Sequence, residues 1–110
     1  MGNVTPQDLI NAELKRAVQA RADGNEGQAR VCARRAAGIA VREFFARRGE
    51  TIRTPSAYDL LKLLVEDTSL SDDLRQIATH LTLRVDDKFK LSADIDLINE
   101  AKKLCEILME

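Results

Sequence analysis

The sequence predicts an all-α fold, an antiparallel up-and-down four-helix bundle with one extra short helix. Three observations carry this. Apolar residues recur at spacings of three and four, and no stretch alternates apolar with polar residues as a strand does. The chain holds one Tyr, three Phe and no Trp, while Ala, Leu, Arg, Lys and Glu, all good helix formers, dominate. Both prolines follow a threonine, in "TPQD" and "TPSA", a natural way to open a helix.

The first helix starts at "TPQD". Thr5 caps it, Pro6 takes the first helical position, and Asp8 places a carboxylate in the first turn, where the helix dipole favours it. Leu9, Ile10, Leu14, Ala17 and Val18 form its apolar side. Gly24 and Asn25 in "ADGNEG" end it. The second helix runs from about Gly27 to Arg48. Its stripe is Ala29, Ala33, Ala36, Ala40 and Phe44, widened by Ala37, Val41 and Phe45. These small residues permit close approach by a neighbour. Arg30, Arg34, Arg35, Arg42, Arg47 and Arg48 lie mostly off the stripe, and Gly49 suits the residue after the cap.

"RTPSAYDLLKLLVED" opens the third helix with Thr54 as cap and Pro55 behind it. Ala57, Leu60, Leu61, Leu64 and Val65 give it an apolar face, and it ends near Asp67. Ser71 caps the fourth, with Asp72 and Asp73 in its first turn and Leu74, Ile77, Ala78 and Leu81 inward. "RVDDKFKLSAD" reads as a polar connection. The last helix starts at about Ala93 and faces inward through Ile95, Ile98, Ala101, Leu104, Cys105 and Leu108. Short polar connections reverse the chain between helices, so the four longer ones pack antiparallel and the third is an accessory.

With 110 residues, 45% of them hydrophobic, the chain has the size and apolar content of one domain, 1–110. No run approaches the ~18–20 apolar residues of a membrane span. The start "MGNVTPQDLI" lacks the basic and apolar regions of a signal peptide, and Pro6 stands where a myristoylation pattern wants Ser or Thr. The expected location is the cytoplasm. Cys32 and Cys105 sit among apolar residues at helical spacing and read as buried thiols. With one His and no CxxC, no zinc set can be assembled, and neither a metal nor a cofactor is expected. The formal net charge is only −1, but it divides unevenly. Residues 1–53 carry a balance of +4 and residues 54–110 a balance of −5, counted from the sequence. A basic face and an acidic face suit phosphate binding or self-association.

The order of features resembles a known family. A long first helix, then "GQARVCARRAAGIAVREFF", then "YDLLKLL" (Tyr58 to Leu64), then "DIDLINEAKKLCEIL" is similar to the HEPN domain, named for nucleotide binding in higher eukaryotes and prokaryotes. The likeness runs from about Leu9 to Leu108. It rests on small and apolar positions rather than on one signature. It implies a four-helix bundle that forms a homodimer, often paired with a minimal nucleotidyltransferase in a toxin–antitoxin system. Some members are metal-independent ribonucleases carrying Arg-x(4–6)-His; others are binding domains.

"RQIATH", Arg75 to His80, matches Arg-x4-His. Gln76 departs from the Asn, Asp or His that catalytic members often place after the Arg. A second register lays "LTLRVDD" on a non-catalytic pattern, with Arg84 in the Arg place. The residue types suit RNA cleavage, since His80 can move a proton near neutral pH and Arg75 offers a fork to phosphate oxygens. Along one helix, however, five residues separate two side chains by about 140° of turn and about 7.5 Å of rise. A dimer would have to bring the groups together. Three readings stand open. One is an interaction module associated with a nucleotidyltransferase, RNA or a nucleotide, with Arg30, Arg34 and Arg42 as phosphate contacts. The second is a dimeric ribonuclease using Arg75 and His80. The third is a helical homo-oligomer without a ligand.

Overall fold

The computed structural model describes residues 2–83 and 95–110. Within them the chain forms α1 (Pro6–Ala22), α2 (Glu26–Arg47), α3 (Ala57–Glu66), α4 (Asp72–Thr82) and α5 (Leu97–Leu108), and no strand. The fold is all-α, as the periodicity predicts.

The α1–α2 hairpin is set by a three-residue reversal. Thr5 closes a capping box with Asp8, and Pro6 opens α1. At the other end Gly24 takes φ 82°, the left-handed conformation that only glycine adopts freely. The Asn25 amide then returns to the Ala20 carbonyl at 2.8 Å, while the Asn25 side chain accepts from the Gln28 amide and starts α2. One residue thus ends one helix and begins the next. The same device recurs at the end of α2, where Gly49 has φ 82° and the Glu50 amide reaches the Phe45 carbonyl.

The start of α3 differs from expectation. Ser56, not Thr54, is the cap, its hydroxyl accepting from the Asp59 amide. Pro55 therefore precedes the cap. The Thr54 hydroxyl accepts from the Ser56 amide and donates to Asp59, bracing the turn. Ser71 caps α4 as predicted. Asp96 caps α5, accepting from the amides of Ile98 and Asn99. Helix α5 therefore starts at Leu97, about four residues later than expected, because the Asp96 side chain takes the first free amides. Ala93, the connection "RVDDKFKLSAD" and with it Arg84 lie outside the described residues.

Helix α2 is central and packs against α1, α3 and α5, and α4 packs against α3 and α5. The molecule measures 40 × 39 × 22 Å, so its thin dimension holds two helix layers of about 10–12 Å each. One core unites the Ala stripe of α2 with Leu60, Leu61 and Leu64 of α3, Leu74 and Leu81 of α4, and Leu97, Leu104 and Leu108 of α5. Short as it is, α3 supplies three of the core leucines. On α1 only Ile10 and Ala17 are fully buried, while Leu9 and Val18 are 48% and 49% exposed. They sit roughly 100° and 80° to either side of Ile10 around the helix, on flanks that a one-sided neighbour does not cover. Among the described residues no helix is long and apolar enough to cross a membrane.

Candidate functional site

His80 stands on α4 beside the buried Leu81, at the edge of the inward stripe. The packing of α4 on α5 brings it to Glu100, in the first turn of α5. Its Nδ1 lies 2.6 Å from Glu100 Oε1. Both side chains are largely covered, at 21% and 13% exposure. An ionised carboxylate only accepts, so the shared proton belongs on Nδ1. In the neutral ring Nε2 is then the free acceptor, the nitrogen that can take a proton from another molecule.

Arg75 takes other partners. Its Nε donates to the Val65 carbonyl at 2.9 Å, and Nη1 lies 3.7 Å from Asp72. The guanidinium thus ties α4 to the last turn of α3. His80 ties α4 to α5. Each of the two residues joins α4 to a different neighbour, as their angular separation on one helix requires.

The α2 arginines divide similarly. Arg34 donates from Nε and Nη2 to the carbonyls of Leu81 and Leu83, both at 2.8 Å. Those carbonyls end α4, where a cation is favoured and acceptors are left over. Arg42 donates to the Thr54 carbonyl at 2.6 Å and holds the loop before α3. Arg30 is half-buried near Glu26. The sequence pattern marks these arginines as charges off the apolar stripe. It cannot show that Arg34 and Arg42 point at carbonyls 47 and 12 residues away.

Arg21, Glu26 and Asp96 form a cluster that sequence reading missed. Arg21 pairs with Glu26 at 2.7 Å and with Asp96 at 2.8 Å, joining the hairpin turn to the start of α5. The hydrogen bond from Arg21 holds the Glu26 carboxyl below its ordinary range, against desolvation and with help from Arg30. Burial works hardest against the Asp96 charge. The bonds from Arg21 and from the Asn99 and Ile98 amides outweigh it, and that carboxyl too ends low. Glu100 was missed as well. Its signal was its place between Leu97 and Leu104 at helical spacing, which puts it beside the buried stripe.

The cysteines are free and buried. Burial, and secondarily Glu106, push the Cys105 thiol up to about 12, so it is a poor nucleophile at neutral pH. Among the described residues no group of three His, Cys, Asp or Glu could hold a metal ion. No protein-family model, curated protein or solved structure matches this chain.

Proposed function

We propose that the chain is a HEPN-like helical module that acts in the cytoplasm by association, as a homodimer and as the partner of a nucleotidyltransferase-type protein. The observation that supports this is how its cations are used. Arg34, Arg42 and Arg75 each spend N–H groups on backbone carbonyls of their own chain. A guanidinium that braces its own fold has fewer N–H groups left for a phosphate. Arg75 and His80 serve different neighbours, so one chain does not assemble a phosphate clamp beside a base.

The test is RNA cleavage by purified protein in chelator, beside affinity purification of the tagged chain from its native cells with identification of any nucleotidyltransferase-type protein that comes with it. The expected result is a stable complex and no cleavage. Cleavage that His80→Ala abolishes would overturn the association reading.

That outcome would favour the second reading, a metal-independent dimeric ribonuclease. One observation speaks for it. A carboxylate holding Nδ1 leaves Nε2 oriented as a general base, the relation of imidazole and carboxylate in acyl-transfer triads. The cation would then come from a second copy.

A further inference from the structure

We propose that the cleft between α1, α2 and the start of α3 binds a free α-amino acid as a zwitterion. The inference goes beyond the association reading and does not rest on it. The cleft is open to solvent, has a volume of about 250 Å³ and is lined by Arg35, Ile39 and Arg42 from α2, Glu13 from α1, and Pro55 and Leu60 beside them.

Its charges are incompletely satisfied. Arg35 is exposed and has no hydrogen-bond or ion-pair partner among the described residues. Arg42 spends one nitrogen on the Thr54 carbonyl, which leaves the rest of its five donors. Glu13 is 13% exposed, and its Oε1 takes Arg16 at 2.7 Å. Its Oε2 is buried with no partner. Buried polar atoms are rarely left so. Glu13 lines the cleft and its terminal torsion is soft, so rotation of the carboxylate offers an acceptor to a cation bound there.

The chemistry selects the ligand. An anion alone meets the Glu13 carboxylate, and a cation alone meets two guanidiniums. A molecule carrying both signs a few bonds apart satisfies both. The α-carboxylate lies in the Arg35 fork, a match of planar donors to planar acceptors. The α-ammonium donates to Glu13. An aliphatic side chain lies along Ile39, Pro55 and Leu60. Size agrees, because the cleft is smaller than the roughly 300–1,000 Å³ of sites for drug-sized ligands. A nucleotide brings no cation for Glu13. The wall is close-packed: a Cβ on Gly38 would stand 2.9 Å from the Ala57 Cβ, so α2 and α3 hold the site at a fixed width.

L-Leucine is the probe, titrated into the full chain while the methyl resonances of Ile39 and Leu60 are followed. Saturable shifts are expected. N-acetyl-L-leucine, which lacks the ammonium, should bind about tenfold or more weakly, a loss typical of a charge-assisted contact. Arg35→Gln and Glu13→Gln should each weaken leucine by a similar factor while helical circular dichroism is kept. No shift at about 20 mM leucine, well above any useful affinity, overturns the proposal. Inorganic phosphate, AMP or the acetylated analogue binding as tightly as leucine also overturns it. If a variant unfolds, the comparison of leucine with its acetylated form on the unaltered chain decides the matter.

Discussion

The α1–α2 hairpin and the α3–α5 segment build one core by opposite means. Helix α2 buries Ala29, Ala33, Ala36, Ala37 and Ala40, small side chains that let neighbours approach its backbone. The Cys105 thiol of α5 comes within 3.6 Å of the Ala36 carbonyl, which shows how near the two helices run. The shorter helices bury leucines instead, three on α3, two on α4 and three on α5. The hairpin therefore depends on small volume and the remainder on filled volume. Each should fail in its own way.

The largest effect is expected where volume is removed from the Leu-built side. Leu64 is fully buried, and Leu64→Ala should cost about 2–5 kcal/mol through lost burial and a cavity. That is a large part of the roughly 5–15 kcal/mol that holds a domain together. Urea unfolding measures it. A loss under 1 kcal/mol would mean that α3 is peripheral after all. On the hairpin the damage comes from adding volume. Ala36→Leu should cost about 1–3 kcal/mol by overpacking, despite the better burial and good helix propensity of leucine. A neutral result would show that α2 and α5 are not in close contact there.

The contrast also explains what could be read in advance. Caps and stripes are local, so Thr5, Ser71 and the Ala face of α2 were legible. Gly24 and Gly49 were legible because chain reversal after a helix demands a left-handed residue. The α3 cap lies two residues beyond Thr54 because Thr54, Pro55 and Ser56 all carry opening signals, and only the hydrogen-bond pattern selects Ser56. Periodicity places Leu9 and Val18 on the apolar side of α1 but does not reveal how wide a face the neighbour covers, and both are exposed. The candidate site was half legible. His80 and Arg75 stand out by residue type, but their partners lie in other helices. Glu100 is 20 residues from His80, a pairing that only the packing of α4 on α5 creates.

A smaller effect should follow from cutting that pairing. His80→Ala leaves the covered Glu100 carboxylate without its 2.6 Å partner. An acceptor stranded in this way costs about 1–3 kcal/mol. Conversion of both residues, His80→Leu with Glu100→Leu, should recover most of the loss if the pair is only a strap between helices. Recovery of stability without recovery of partner binding would instead assign the pair to the interface. A double-mutant cycle separates the two outcomes.

The smallest effect lies where the two regions meet. Arg21 at the end of α1 holds Glu26 of α2 and Asp96, the cap of α5. Both carboxyls are lowered in the folded chain, so in the unfolded chain they return to their ordinary range near pH 4. Between those values the unfolded state binds more protons, and stability rises with pH. The contribution is thus present at neutral pH and is lost as pH falls through the lowered values. Arg21 stays charged throughout. All three groups are more than a third exposed, which limits each pair to the roughly 0.2–1 kcal/mol of surface ion pairs. Arg21→Gln should therefore lower the melting temperature slightly at pH 7 and hardly at all near pH 2. Adding 1 M salt at pH 7 should shrink the difference, because the Debye length falls to about 3 Å. A difference that persists unchanged in acid would mean that Arg21 joins hairpin and α5 by packing its stem rather than by charge.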